Sequence, residues 1–180
     1  ALNDLEITGI SNAIYNPEKY SLPSFRSILT SDMKRDLPKY ISNYANKDIQ
    51  VHNVTDIVEF NNKDTLTHAP YGQYIFNEIK EDKVSDSELE QMKINTKSQA
   101  SNYLNKIMTI NDFDIFISVD NSMAGIAAAA HFPALTIPMG YRSDGQPSNI
   151  TFIAKSKNEQ LLYNIAYRYE NQSKRRVAPK

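Results

Sequence analysis

The chain has 180 residues, 41% of them hydrophobic and 23% charged, with a formal net charge of −1 and no cysteine. That length is one domain or a generous part of one, able to bury about 70% of the surface its unfolded chain exposes. The charge balance gives no bulk attraction to nucleic acid or an anionic membrane, and the lack of cysteine removes disulfides, thiol nucleophiles and cysteine-ligated zinc together. No apolar run reaches about 18 residues, so no membrane-spanning helix is expected. Residues 1–10 lack the basic-then-apolar order of a signal peptide. The cations after Tyr169 (Lys174, Arg175, Arg176, Lys180) read as a solvated tail.

Residues 1–22 read as an extended or loop segment. From Pro23 to about Asn46, Phe25, Ile28, Leu29, Met33, Leu37, Tyr40, Ile41 and Tyr44 recur at helical spacing, and Pro38 should kink or break the run. Asn53 is placed to cap a second helix, with Asp56 in its positive first turn and Val54, Ile57, Val58 and Asn61 on one face. Pro70 introduces a third helix through Tyr71, Ile75, Phe76 and Ile79. Ser85 and Glu88 form a capping box for the longest helix, whose stripe is Leu89, Met92, Thr96, Ala100, Tyr103, Leu104 and Ile107, ending near Thr109.

Beyond that point the pattern changes to short β-rich runs. Phe113–Val119 reads as a buried strand, and Asp120–Ala130 as a small, Ala-rich helix. Ala134–Pro138 and Asn149–Ala154 read as strands paired antiparallel across the Asp144-Gly145 turn. Asn158 then caps a helix carrying Leu161, Leu162, Ile165, Ala166 and Tyr169. The order is therefore helical over 23–109 and strand, helix, hairpin, helix over 113–173. Three strands are a poor independent sheet for a chain this long, which points to partner strands elsewhere.

Catalytic patterns are scarce. Among the five glycines none is adjacent to another or one apart, so there is no Gly-x-Ser-x-Gly elbow and no phosphate cradle. Ser31 and Lys34 have Ser-x-x-Lys spacing but lack the companion motifs of serine–lysine enzymes, and read as part of a polar helix face. His52, His68 and His131 are far apart and in no zinc pattern. Asp112 and Asp114 read as turn or cap residues. No aromatic stripe interleaved with Lys or Arg marks a nucleic-acid groove. The three Asn-x-Ser/Thr triplets, at Asn53, Asn149 and Asn171, read as incidental.

The stretch Phe132-Pro133-Ala134-Leu135-Thr136-Ile137-Pro138-Met139-Gly140-Tyr141 resembles the C-terminal signature of amidase signature enzymes. There a small-residue helix, here Met123–Ala128, leads into a Pro-bracketed strand. A Gly-x-Pro turn, here Gly145-Gln146-Pro147, then precedes a strand and an amphipathic helix ending near Glu170. Upstream, Val54–Asn61 is similar to an Asp-(apolar)-Ile-x-Phe-Asn segment of one bacterial branch. Tyr71-Gly72-Gln73 resembles its Phe/Tyr-Gly-Gln, and Ser31–Tyr44 is loosely like one of its helices. Two positions depart from the pattern. His131 stands where the family usually has Gly, and Ala128 stands at a common Asn.

The resemblance implies an α/β fold: residues 1–180 as the single C-terminal portion of an amidase domain, with a mixed sheet of about three strands here, covered by several helices. It implies a parent enzyme that hydrolyses carbon–nitrogen bonds of linear or cyclic amides with two serines and a lysine. Those groups lie upstream of the region resembled, so no catalytic residue is carried over. Asn61, Gly72, Gln73 and Tyr141 are the candidate substrate-cleft residues, each weighed against hydrogen bonding within the fold. No cofactor or metal is implied. The implied partners are the N-terminal remainder of the same polypeptide and a small amide substrate, with no nucleic acid or membrane and with a homo-oligomer left open. A cytoplasmic location is favoured, and the chain alone is expected to be inactive. The alternatives are part of a tRNA-dependent amidotransferase A-type subunit and a stand-alone interaction module.

Overall fold

The computed structural model describes residues 22, 24–110 and 112–178. The loop expected over residues 1–22 lies almost wholly outside them. The chain divides into two compact units, Pro23–Ile94 and a second that includes Asn95 onward.

The helical unit holds α1 (Phe25–Tyr44), α2 (Val54–Lys63), α3 (Thr65–His68), α4 (Tyr74–Glu81) and the first turns of α5 (Asp86–Ile110). α1 runs through Pro38 without ending, although a proline there supplies no N–H for the preceding turn. Asn53 accepts the Asp56 N–H at 3.1 Å, and Asp56 accepts the His52 N–H at 2.7 Å, so the start of α2 is held reciprocally. The helix expected from Pro70 begins only at Tyr74, because Gly72 takes a left-handed backbone (φ 79°) that interrupts it. The short α3 was not legible in the sequence; Asp64 caps it by accepting the Thr67 N–H at 3.2 Å. The capping box at α5 forms as expected, with Ser85 Oγ accepting the Glu88 N–H and Glu88 accepting the Ser85 N–H at 2.9 Å. The Ser85 hydroxyl and N–H hold the Glu88 carboxyl below its usual range. A small core forms from Val54, Val58 and Ile79, with Leu37 and Phe76 against it.

In the second unit the later turns of α5 bury Thr96, Ala100 and Leu104 as expected, and Met108 extends the stripe. They are followed by β1 (Ile115–Val119), α6 (Ala124–Ala130), β2 (Ala134–Tyr141), β3 (Pro147–Ala154) and α7 (Glu159–Ser173). The sheet order is β1-β3-β2. The resemblance implies mixed strand directions for the parent's whole sheet; both pairings among these three strands are antiparallel. β3 is central and buried from Ile150 to Ala154. Ile150, Phe152 and Ala154 point to one face, where Leu162, Ala166 and Tyr169 of α7 cover them. The Phe152 and Tyr169 rings meet edge-on at 6.1 Å.

β2 is longer than the Pro-bracketed segment. Its register shifts between Pro138 and Gly140, which leaves Met139 as an inserted residue. A proline is tolerated there because β2 is an edge strand of this sheet. The turn closes as expected: Gly145 is left-handed (φ 85°), and Asp144 accepts the Gln146 N–H at 3.0 Å. Asn158 sits at the N-terminus of α7, but its side chain makes no capping bond. His131 ends α6 in the left-handed region (φ 57°, ψ 39°). That conformation suits the glycine which the family usually has there.

Candidate functional site

In the helical unit, Asn61 and Gln73 come together. The buried Asn61 donates Nδ2–H to Gln73 Oε1 at 3.0 Å, and Gln73 donates Nε2–H to Asn62 Oδ1 at 2.7 Å. These bonds tie α2 to the start of α4. An amide side chain carries two donors and a two-lone-pair acceptor, so this chain of three amides has donor and acceptor capacity left over. Gly72 precedes Gln73 and supplies the turn. A Cβ there would meet nothing within 4 Å, so conformation rather than crowding selects glycine. Tyr71 beside it is 98% exposed and Leu66 86% exposed, both unusual for large apolar groups.

Ser31 and Lys34 do not form a nucleophile–base pair. Ser31 is fully buried and donates to Asp82 Oδ1 at 3.0 Å. Lys34 donates to the carbonyls of Lys80 and Asp82 at 2.8 and 2.6 Å, satisfying the open C-terminal end of α4. The sequence reading as a polar helix face holds for chemistry but not for burial.

The second unit contains a polar hub that was invisible in the sequence. Asp120 follows β1 with a left-handed backbone (φ 52°). Its carboxylate accepts the Asn149 N–H at 2.8 Å, the Ser148 hydroxyl at 3.2 Å and the Arg142 guanidinium. The Asn149 N–H is the main cause that holds the Asp120 carboxyl below its usual range, with Arg142 and Ser148 adding to it. Thr151 Oγ1 donates to the Asp120 carbonyl and lies 2.7 Å from Thr136 Oγ1, so this residue of β3 is tied both to the residue after β1 and to β2. An aspartate after a β-rich run and before small residues is the only trace of this in the sequence.

Tyr141 belongs to the second unit, at the end of β2. It is 55% exposed and reaches the Val177 carbonyl at 3.4 Å. His131 is exposed at the α6 terminus. Among the described residues no cluster of three His, Asp or Glu side chains could hold a metal, and no helix is long and apolar enough to cross a membrane.

No family model matches the chain. A probable amidase of Arabidopsis thaliana is 27% identical over 84 residues, covering 47% of this chain and 16% of that protein. An amidase family protein of Bacillus anthracis superimposes with a TM-score of 0.78 and 28% identity, over 94% of this chain but 32% of its own. The peptide amidase of Stenotrophomonas maltophilia superimposes with a TM-score of 0.75 and 20% identity, over 88% of this chain and 35% of its own. The chain has an amidase-signature-like α/β fold. It matches the C-terminal region of amidase-family structures and spans about a third of their length.

Proposed function

We propose that this chain is the C-terminal part of an enzyme that hydrolyses carbon–nitrogen bonds of linear or cyclic amides, and that it completes the fold and shapes the cleft without supplying the nucleophile. The observation that carries this is the lopsided match: nearly all of this chain, but only a third of the amidase family protein, superimposes. The local chemistry agrees. Ser31 donates to Asp82 and Lys34 to backbone carbonyls, so this Ser–Lys spacing forms no nucleophile–base pair.

Within this reading Asn61, Gly72 and Gln73 of the helical unit, and separately Tyr141 of the second unit, are candidates for contact with the amide substrate. Side-chain amides suit that task, since they can donate to a substrate carbonyl and accept from its N–H. The parent's N-terminal remainder is the partner that brings the serines and lysine, and the cytoplasm is the expected compartment. The test is ammonia or amine release from a panel of linear and cyclic amides by the complete polypeptide. Turnover that disappears when an upstream serine is replaced supports the proposal. Turnover that survives that replacement but is lost in Ser31→Ala contradicts it.

A further inference from the structure

α7 ends where Lys174 takes a left-handed backbone (φ 47°), its N–H still bonded to the Glu170 carbonyl at 3.0 Å. That reversal releases Arg175–Val177 beside the shifted end of β2. Gly140 lies at φ 132°, a backbone that favours glycine, and the Arg175 side chain comes within 4.0 Å of where its Cβ would be. Tyr141 donates its hydroxyl to the Val177 carbonyl, so the tail is tied to the hairpin at a second point. Hairpin and tail together enclose an open cleft of about 230 Å³. Pro138, Pro147 and Val177 give it apolar walls, and Arg175 and Arg176 line it.

The charges in this cleft are unbalanced. Ser148 and the Asn149 N–H, which also line it, are committed to Asp120, and Asp120 is itself paired with Arg142. Among the described residues neither Arg175 nor Arg176 has an acidic partner, and both are exposed. Two guanidinium groups lining one cleft make it attractive to an anion, and their planar forks match the two oxygens of a carboxylate. The volume is below the ~300–1,000 Å³ of sites for drug-sized ligands, so the ligand is small.

We infer that this cleft binds a small carboxylate with a compact apolar body, its oxygens on Arg175 and Arg176 and its body against Pro138, Pro147 and the Tyr141 ring. This goes beyond the amidase reading and does not rest on it.

The experiment is an NMR titration of the full chain at low ionic strength with benzoate, following the Arg175 and Arg176 side-chain and Tyr141 ring signals. Acetate and inorganic phosphate are parallel probes. Saturable benzoate shifts confined to these residues are expected, with acetate at least threefold weaker. Arg175→Gln/Arg176→Gln should weaken benzoate at least tenfold, and Tyr141→Phe only about threefold or less, because the ring stays. Far-UV circular dichroism confirms that each variant keeps its fold; these residues are exposed, so no loss is expected. Phosphate binding as tightly as benzoate overturns the carboxylate assignment. Shifts spread evenly over exposed cations such as Arg26 and Lys39, or benzoate affinity unchanged in the double variant, overturn the site.

Discussion

The two units solve the same problem with different chemistry. The second unit buries a continuous apolar set between β3 and α7, including the fully enclosed Phe152. The helical unit buries a smaller cluster, Val54, Val58 and Ile79; both units leave large apolar side chains exposed, Tyr71 and Leu66 of the helical unit most of all. Polar ties help hold the helical unit: Arg26 to Glu78, Ser31 to Asp82, Arg35 to Asp86 at 2.7 Å and Lys93 to Asp32 at 2.8 Å. Added salt does not weaken dry packing, whereas it screens exposed ion pairs. The contrast is therefore measurable.

The largest expected effect is in the second unit. Phe152→Ala should cost about 3–5 kcal/mol, because the central strand cannot collapse around the void. Ile79→Ala in the helical unit should cost about 2 kcal/mol, at the low end for such truncations, since its small cluster can relax. Urea unfolding of both variants checks this, and an equal loss would erase the contrast. Asn61→Ala should cost about 1–3 kcal/mol by leaving Gln73 Oε1 without its donor. If Gln73 also faces substrate, Gln73→Leu in the complete enzyme raises KM with kcat little changed; a purely structural role moves stability alone.

Smaller effects follow from charge and backbone. Raising salt from about 0.05 to 1 M should speed amide exchange in residues 24–94 more than in 112–178, because exposed ion pairs are screened. Asp120 works the other way with acid. Its folded pKa lies below the ordinary 3.8, so its contribution is complete above that value and is lost as the pH falls through the folded one. Asp120→Asn should be less stable than the parent at neutral pH and converge on it in acid, as read by denaturant midpoints across pH. His131→Gly should be more stable by about 0.5 kcal/mol, relief of the left-handed strain exceeding the added chain entropy.

Periodicity made most elements legible. The Ser85–Glu88 box, the Asn53 cap and the Asp144-Gly145 turn are local chemistry, and each formed where the residues pointed. Neither Pro38 nor Pro70 marks a helix boundary, because proline constrains only locally. Pro38 was absorbed within α1, and the backbone reversal at Gly72 set the start of α4. The candidate residues were readable as polar or glycine positions amid apolar motifs. The Asp120 hub was not, because its partners lie 22 to 31 residues ahead in sequence and meet only through strand pairing. Nor was the Arg175–Arg176 cleft, which needs the reversal at Lys174 to bring the tail beside the hairpin.

The proposed division of labour between this chain and an upstream remainder is tested most directly by assaying purified residues 1–180. The assay is ammonia release from linear and cyclic amides, with circular dichroism showing the helices in place. The proposal predicts no release above buffer, since Ser31 is buried against Asp82 and Lys34 is held on backbone carbonyls. Saturable hydrolysis by that chain alone would contradict the account.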